Sequence, residues 1–446
     1  MVPGADLVLR VSTTSPRFRV DFYRFGAETT LVSRSGWETG RHVPDHLPYQ
    51  DWGQDDVGLD GERLAAWPAY RFPVEEGWRP GVHLAVLVED GRVDEQPGVD
   101  ARSARALFVV RNDDPTPRAH VLYKLPLLTY HAYNCVSAES TAWSLYSVPA
   151  AENLPVAVPP CVSFRRPGGG TGGTPWDIHN YDPFDPTPRQ TFVHWDARFL
   201  AWLEGNGYDV DVCTDLDVHA DDGLELLARY PLLVSAGHDE YWTDSMRANV
   251  ASAVARGHNV AFFGGNTCWW RVTFDDDCSF RRLVEWSDPA SGHEPENSLT
   301  GVSFRNGGER DRDDHPVPVG YRVQHADHWV FDGTGLADGA TFGDAPDEYL
   351  VGYECDGARF DRRVLERRGT VTPTGEDGTP PGFVILGVGD VAASGWGTGN
   401  RAATMGLYTD NGTVFNGATT DWPRLLGQNP VVDRVTHNVL ERLSAG

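Results

Sequence analysis

The chain has 446 residues, of which 38 are basic and 64 acidic, so its formal net charge is −26. Apolar residues make up 40% and aromatic residues 11%, which supplies a large packed core and excludes wholesale disorder. The acidity argues against nucleic acid and anionic membranes as partners, because both bind basic surfaces. The length allows two or three domains of roughly 100–200 residues each.

Cysteine usage and the chain start predict a cytoplasmic protein. No run of about 18 apolar residues occurs, so we predict no transmembrane helix. The first residues lack a basic segment followed by an apolar one, and we expect no signal peptide. The six cysteines are far apart without a C-x-x-C pair, which favours buried thiols over a zinc site or a disulfide framework. Lys124 is the only lysine among the 38 basic residues, an imbalance typical of genome composition bias.

Residues 1–112 predict a β-sandwich domain. Short alternating or β-branched runs, such as those at 18–25 and 82–89, are separated by Pro and Gly turns. The segment 111–119 is polar, carries two prolines and indicates a linker.

Residues 113–446 predict an α/β domain. A buried strand is expected over 120–130, a helix over 190–208, and alternating strands and helices up to residue 265. This alternation favours a parallel sheet of the Rossmann or amidotransferase kind, with helices on its faces. The polar stretch 275–330 indicates an irregular insertion. The remainder predicts a β-rich C-terminal extension that ends in a helix over 431–444.

Ligands of open parallel sheets bind beyond the carboxyl ends of the strands. Here four predicted strands end in polar, titratable or aromatic residues, which makes this edge the expected active site. The segments that follow the strands are Thr129–Asn134, Thr214–His219, Gly237–Trp242 and Gly264–Trp270.

The residue types at this edge indicate metal chemistry with proton transfer. His238, Asp239 and Glu240 combine an imidazole with carboxylates, which suits metal ligation and general acid–base work. Tyr133 could add a phenolate ligand, for which ferric iron is the natural metal because the unperturbed tyrosine pKa is about 10. Asn266 could donate a hydrogen bond to a carbonyl or an oxyanion.

Each of these residues could instead have a purely structural role. Asp239 and Glu240 could instead favour the dipole of the next helix. Tyr133 could be a half-buried core residue, and Asn266 could hold a turn. An acidic loop is favoured over a metal cluster for Asp215, Asp217 and His219.

Several stretches resemble the large (β) subunit of N,N-dimethylformamidase and its relatives. The most specific are G-H-D-E-Y-W at 237–242 and F-F-G-G-N at 262–266. Weaker matches are Thr129–Asn134, Val162–Pro167, Trp202–Glu204, His328–Phe331 and Val351–Asp356. The resemblance covers most of the chain, including its β-rich front.

This resemblance implies amide hydrolysis at a mononuclear iron, Fe³⁺, that is held by two tyrosines and one glutamate. It assigns the first tyrosine to Tyr133 and the glutamate to Glu240. The polar residues around the metal fall on His238, Asn266 and Glu354.

The second tyrosine departs from the family pattern. Relatives are expected to carry it in an S-F-x-R-P-Y stretch, where this chain has Gly168. Tyr181 and Tyr146 are the candidates to replace it, and Tyr181 is the ligand that we predict.

The predicted function is therefore an iron-dependent amidohydrolase for a small N-substituted formamide or related amide, acting through a metal-activated water. Relatives pair with a small subunit and assemble further, so a small-subunit partner or a homo-oligomer is expected. The alternatives are a lyase or oxygenase of a biosynthetic pathway and a non-catalytic binding protein. A thiol enzyme using Cys268 is disfavoured, because this residue lacks the small neighbours of a nucleophile elbow.

Overall fold

A computed structural model describes residues 1–43, 67–91, 104–134, 145, 161–164, 168–172, 182, 185–276, 279–309, 318–391 and 401–445. Contacts divide the chain into two compact units, each built from three segments. The first unit comprises Met1–Asp114, Leu127–Val212 and Thr273–Arg282. The second comprises Pro115–Pro126, Cys213–Val272 and Leu283–Gly446. The predicted division into 1–112 and 113–446 stays a prediction. Within the described ranges no helix is long and apolar enough to cross a membrane.

The first unit begins with antiparallel strands around an aromatic core. Its strands are β1 (Asp6–Arg10), β2 (Arg17–Arg24), β3 (Thr30–Arg34), β4 (Glu38–Thr39), β5 (Ala69–Pro73), β6 (Gly81–Glu89) and β7 (Arg105–Val110). β1 pairs with β5, whereas β3, β2, β6 and β7 form a separate sheet in that order, with β4 beside β2. The ring of Phe22 lies 5.3 Å from Trp78 and 6.4 Å from Phe108. The predicted β-rich front is confirmed.

The strand predicted over 120–130 is wrong in its second half. β8 (Val121–Leu125) stops at Pro126, and the chain continues as helix α1 (Leu127–Ala132). Proline lacks an N–H for the sheet, and its fixed φ suits the residues around a helix start. The apolar run therefore splits into a strand and a helix. Farther along lie β9 (Cys161–Ser163) and α2 (Asp196–Gly205), which confirms the helix predicted over 190–208.

The predicted alternation of strands and helices up to residue 265 is confirmed. The elements are β10 (Val210–Thr214), α3 (Asp215–His219), α4 (Gly223–Leu227), β11 (Leu232–His238), β12 (Tyr241–Thr243), α5 (Asp244–Ala255) and β13 (Asn259–Gly265). The hydroxyl of Thr243 caps α5 by accepting a hydrogen bond from the backbone N of Met246 at 3.2 Å.

The irregular insertion predicted over 275–330 is wrong in part, because strands occupy Ser279–Glu285, Ser303–Glu309 and Tyr321–Val323 within it. The elements after residue 269 are β14 (Trp270–Asp276), β15 (Ser279–Glu285), α6 (Asn297–Thr300), β16 (Ser303–Glu309), β17 (Tyr321–Val323), β18 (Thr341–Phe342), β19 (Glu354–Gly357), α7 (Arg362–Arg368), β20 (Val384–Asp390), β21 (Ala402–Thr409), β22 (Thr413–Asn416) and α8 (Pro430–Ser444). Short strands accommodate charged residues on their outer face. In β17, for example, Tyr321 and Val323 are buried while Arg322 is exposed.

A nine-stranded mixed sheet organises the second unit, with the order β10-β8-β11-β13-β22-β21-β20-β17-β18. β8, β11 and β13 are parallel neighbours, as predicted, and β22, which was not part of that prediction, pairs in parallel with β13. From β22 onward the pairs are antiparallel. The C-terminal strands predicted as an extension therefore complete the same sheet.

Candidate active site

Three strands of the second unit deliver the candidate catalytic side chains. β11 ends at His238, from which Asp239 and Glu240 lead into β12. β13 ends just before Asn266, and β19 begins with Glu354. The side chains of the four functional candidates are buried, with exposed fractions of 1% for His238, 2% for Glu240, 3% for Asn266 and 5% for Glu354. The strand-end rule therefore located a buried polar site.

The imidazole of His238 lies between two carboxylates. Its Nε2 atom is 2.7 Å from Oε2 of Glu354 and 3.4 Å from Oε2 of Glu240. Burial lowers the pKa of His238, but Glu354, then Glu240 and Asp356, outweigh it and raise the pKa to about 9. At neutral pH the imidazole is therefore a buried cation beside carboxylates, which can donate a proton and accept it again.

Asn266 both holds a turn and points into the site. Its backbone is left-handed, with φ of 50°, and its amide Nδ2 donates to Oε2 of Glu354 at 3.2 Å. Its Oδ1 is buried and has no hydrogen-bond partner among the described residues. Buried polar atoms are normally satisfied, so this oxygen marks a place where a ligand group would complete the site.

Asp356 is a site residue that the sequence analysis did not single out. Its carboxylate accepts hydrogen bonds from the backbone N of Asn266 at 2.9 Å and of Thr267 at 3.2 Å, which fixes the left-handed turn. Burial raises the pKa of Asp356 to about 7, against the effect of these two donors. A signal was present, because alternate residues of a strand share a face and Asp356 lies two residues after Glu354.

Two structural interpretations of this edge are wrong. Asp239 and Glu240 do not begin a helix, since β12 intervenes before α5 starts at Asp244. The acidic segment after β10 is not a loop but the short helix α3. The carboxylate of Asp217 accepts hydrogen bonds from the backbone N and the hydroxyl of Thr214 at 2.9 and 2.8 Å, which starts this helix.

Cys268 does not have the surroundings of a nucleophile. Its side chain is fully buried, and burial raises the pKa of the thiol far above its ordinary value, which keeps it protonated. Its backbone N donates to the carbonyl oxygen of Asp239 at 2.9 Å. Cys268 therefore supports the site through its backbone. Cys213 and Cys355 are also buried thiols, as predicted.

The three predicted metal ligands do not lie in one unit of the described structure. Glu240 lies in the second unit, whereas Tyr133 is buried in the first unit, just after α1. Tyr181 lies outside the described residues. In the described part of the chain, no group of three or more His, Cys, Asp or Glu side chains could hold a metal ion.

Fold and site together define a class: a mixed-sheet α/β protein with a buried imidazole–carboxylate centre where its strands end. Residues 29–434 match the family described as "N,N-dimethylformamidase beta subunit-like, C-terminal". The chain belongs to this family, which confirms the predicted resemblance.

Two relatives have names that state an activity. They are the N,N-dimethylformamidase beta subunits of Paracoccus aminophilus and of an Alcaligenes species, each 26% identical to this chain over 216 and 220 residues respectively. Each alignment covers 43% of this chain and 26% of the relative. The matched region thus spans about a quarter of the relatives' length.

Proposed function

We propose that this chain is an amide hydrolase that acts on a small N-substituted formamide or a related amide. The observation that carries the proposal is the buried His238 imidazole, 2.7 Å from Glu354 and 3.4 Å from Glu240. Amide hydrolysis needs a base for water, a donor for the oxyanion and an acid for the leaving amine. This cluster offers all three, and the names of the two relatives support the same reaction.

The residues of the cluster take different roles in this reaction. Glu354 accepts the proton of the attacking water. His238, as a cation, donates to the oxyanion that forms on the carbonyl oxygen and then protonates the departing nitrogen as the C–N bond breaks. Asn266 holds Glu354 through Nδ2 and presents its unsatisfied Oδ1 to the substrate. The products are a carboxylic acid and an amine.

A mononuclear ferric iron belongs to the proposal. Glu240 fits it as a buried hard-oxygen donor, and the resemblance to the dimethylformamidase family implies two phenolate ligands beside it. Tyr133 and Tyr181 are the phenolates that the sequence predicts. Such a metal would supply Lewis acidity, which polarises a carbonyl and lowers the pKa of water.

The test compares two buried glutamates of the second unit, with N,N-dimethylformamide as the probe and released dimethylamine as the readout. Glu354→Gln should lower kcat by roughly 10²–10⁴-fold, the usual size of a general-base contribution. Glu296→Gln is the matched control, because Glu296 is also a buried glutamate but accepts its hydrogen bond from the hydroxyl of Ser303. It should keep kcat within about threefold, since it removes no catalytic group.

Metal content is measured on the same preparations. Wild-type protein should contain about one iron per chain, with a visible tyrosinate-to-iron absorption band, and Glu240→Ala should lose both. If iron-loaded wild type hydrolyses no formamide or other small amide, the hydrolase assignment fails and a lyase, an oxygenase or a binding protein becomes the better hypothesis. If Glu240→Ala keeps its iron, Glu240 is not a ligand.

The names of the relatives describe one subunit of an assembly. We therefore propose that this chain also associates, with a small subunit or with further copies of itself. The native complex should have a mass above the 49.1 kDa of one chain when it is purified from its source cells. A single species of 49.1 kDa would contradict association.

A further inference from the structure

The only lysine of the chain is completely buried in the sheet of the second unit. Lys124 lies in β8, and its Nζ forms ion pairs with Asp215 and, at 2.8 Å, with Oδ1 of Asp239. The ammonium also lies 4.8 Å from the ring centroid of Trp242. A buried charge is strongly destabilising unless it is paired, so the ammonium and the carboxylates depend on one another.

Asp239 links this ammonium to the candidate active site. Its Oδ1 also accepts a hydrogen bond from Nε1 of Trp242 at 3.0 Å, and its Oδ2 accepts one from the hydroxyl of Ser235 at 2.6 Å. The side chain is therefore held at both oxygens. In the sequence, Asp239 stands between His238 and Glu240.

The backbone of the same segment is held from the other side. The carbonyl oxygen of Asp239 accepts from the N of Cys268, and that of Glu240 accepts from the N of Trp270, both at 2.9 Å. Asp239 is bonded covalently to His238, which ends β11, and to Glu240, which leads into β12. Because its side chain and its carbonyl oxygen are both held, a fixed Asp239 constrains the directions of these two neighbours.

We propose that Lys124 is a positioning residue: by holding Asp239 through its ammonium, it sets the direction of His238 and Glu240. Its catalytic consequence rests on the proposed function, whereas its geometric consequence does not. Asp215 and Asp239 pair with the same ammonium, but only Asp239 belongs to the functional segment. If Lys124, Asp215 and Asp239 only balanced one another's charge, both aspartates would be needed equally. If Lys124 positions the segment, only Asp239 should matter, so comparing the two aspartates distinguishes positioning from charge balance.

The test compares Asp239→Asn with Asp215→Asn, which remove the same charge from the same ammonium. Hydrogen exchange of the backbone amides of Cys268 and Trp270 reports the geometry of the segment, and kcat for N,N-dimethylformamide reports its consequence. Asp239→Asn should raise the exchange rates and lower kcat by about tenfold or more, with KM changed less than threefold. Asp215→Asn should leave both within about twofold of wild type. Lys124→Met should behave like Asp239→Asn.

Because the chain has one lysine, isotope-labelled lysine gives one side-chain NMR signal, which checks that the ammonium stays buried in both Asn variants. If both Asn variants lose protection and activity equally, the triad only balances charge and the proposal is overturned. Unchanged exchange in Asp239→Asn would overturn it as well. If wild type hydrolyses no amide, the proposed function fails, and the exchange rates still decide the positioning role. Should Lys124→Met not fold, the two Asn variants suffice.

Discussion

Two buried histidines of this chain have opposite pKa shifts, because their neighbours differ. His238 faces carboxylates, and its pKa rises to about 9. His83 instead packs against the rings of Trp78 and Phe108, whose centroids each lie 5.4 Å from the centroid of the imidazole. Burial lowers the pKa of His83 to about 4, which the contact of its Nδ1 with the carbonyl oxygen of Gly81 does not offset. The same type of side chain is thus cationic at neutral pH in one unit and neutral packing in the other.

The buried neutral His83 should make the first unit sensitive to acid. Its pKa falls from 6.5 in the unfolded chain to about 4 in the folded chain, so the unfolded state binds the proton first as pH drops. The stability contribution is complete above pH 6.5 and is lost as pH falls towards 4. Between these values the free energy of unfolding should decrease by about 3 kcal/mol through this residue.

Urea denaturation of wild type and His83→Phe at pH 7 and pH 4.5 measures this effect. Phenylalanine keeps the ring stacking but cannot be protonated, so the variant should lose less stability on acidification than wild type. His42→Gln, at an exposed position, should behave like wild type. Equal acid sensitivity of wild type and His83→Phe would contradict the prediction.

The sequence predicted those site residues whose position follows from a local pattern. His238 ends β11, Glu240 lies two residues beyond it and Asn266 directly follows β13, so the strand-end rule pointed to all three. Glu354 lies 88 residues beyond Asn266, in a strand that pairs with β16 outside the main sheet, and only the family resemblance pointed to it. Lys124 was attributed to composition, because its partners Asp215 and Asp239 lie 91 and 115 residues away.

At the level of elements, strand β13 ends in Gly264 and Gly265 because neighbouring backbone atoms leave no room for a side chain at either position. A Cβ atom on Gly264 would lie 2.7 Å from the carbonyl oxygen of Gly237 in the neighbouring strand β11. A Cβ atom on Gly265 would lie 2.5 Å from the carbonyl oxygen of Glu354 and 2.8 Å from the N of Thr420. Both neighbours are backbone atoms. The absence of side chains at Gly264 and Gly265 therefore lets β11 and β19 approach the end of β13 closely enough for His238 to reach Glu354.

Gly265→Ala should consequently destabilise the second unit by about 1–3 kcal/mol, the usual cost of overpacking, and should lower kcat by displacing Glu354. Gly205→Ala is the control, since its nearest neighbour would be the Cβ of Ala27 at 3.9 Å and helix α2 favours alanine. It should be neutral or stabilising by up to about 1 kcal/mol. Thermal unfolding of both variants gives the comparison, and a Gly265→Ala protein as stable as Gly205→Ala would contradict the close approach.

The elements themselves were predictable where period and propensity agreed. The helices α2 and α5 and the strands β11 and β13 were found because their apolar runs are bounded by turn or capping residues. Two kinds of element were missed. The helix α1 was missed because its boundary with β8, at Pro126, lies inside one apolar run. The strands between 275 and 330 were missed because their charged residues, such as Arg281 and Arg282, interrupt the alternation of apolar and polar residues. Their strand pairing depends on partners elsewhere in the chain.

For the whole molecule, the two units are interleaved in sequence, which no local pattern shows. The first unit contains residues on both sides of the segment Pro115–Pro126, which belongs to the second. Arg24, for example, forms an ion pair at 2.8 Å with Glu204, 180 residues along the chain. The predicted linker at 111–119 marks a change of element type, but the chain returns to the first unit after it.

The predicted boundary near residue 112 can nevertheless be tested, because the core of the N-terminal strands is complete before it. Every member of that core cluster lies between Leu7 and Val110. A fragment of residues 1–114 should therefore fold cooperatively. It should be less stable than the same region in the full chain, since it lacks the Arg24–Glu204 ion pair and the 2.7 Å hydrogen bond from the N of Leu107 to the carbonyl oxygen of Gly169.

Far-UV circular dichroism and urea titration of this fragment give the measurement. A fragment of residues 1–80 is the control, because it lacks β6 and β7, two of the five strands in the sheet that also contains β2, β3 and β4. Without them β2 has an unpaired edge and the core loses Ala85, Phe108 and Val110, so this fragment should stay unfolded. If residues 1–114 also stay unfolded, the boundary at 112 is wrong. The N-terminal strands would then need residues 127–212, with which they share the first unit, to fold.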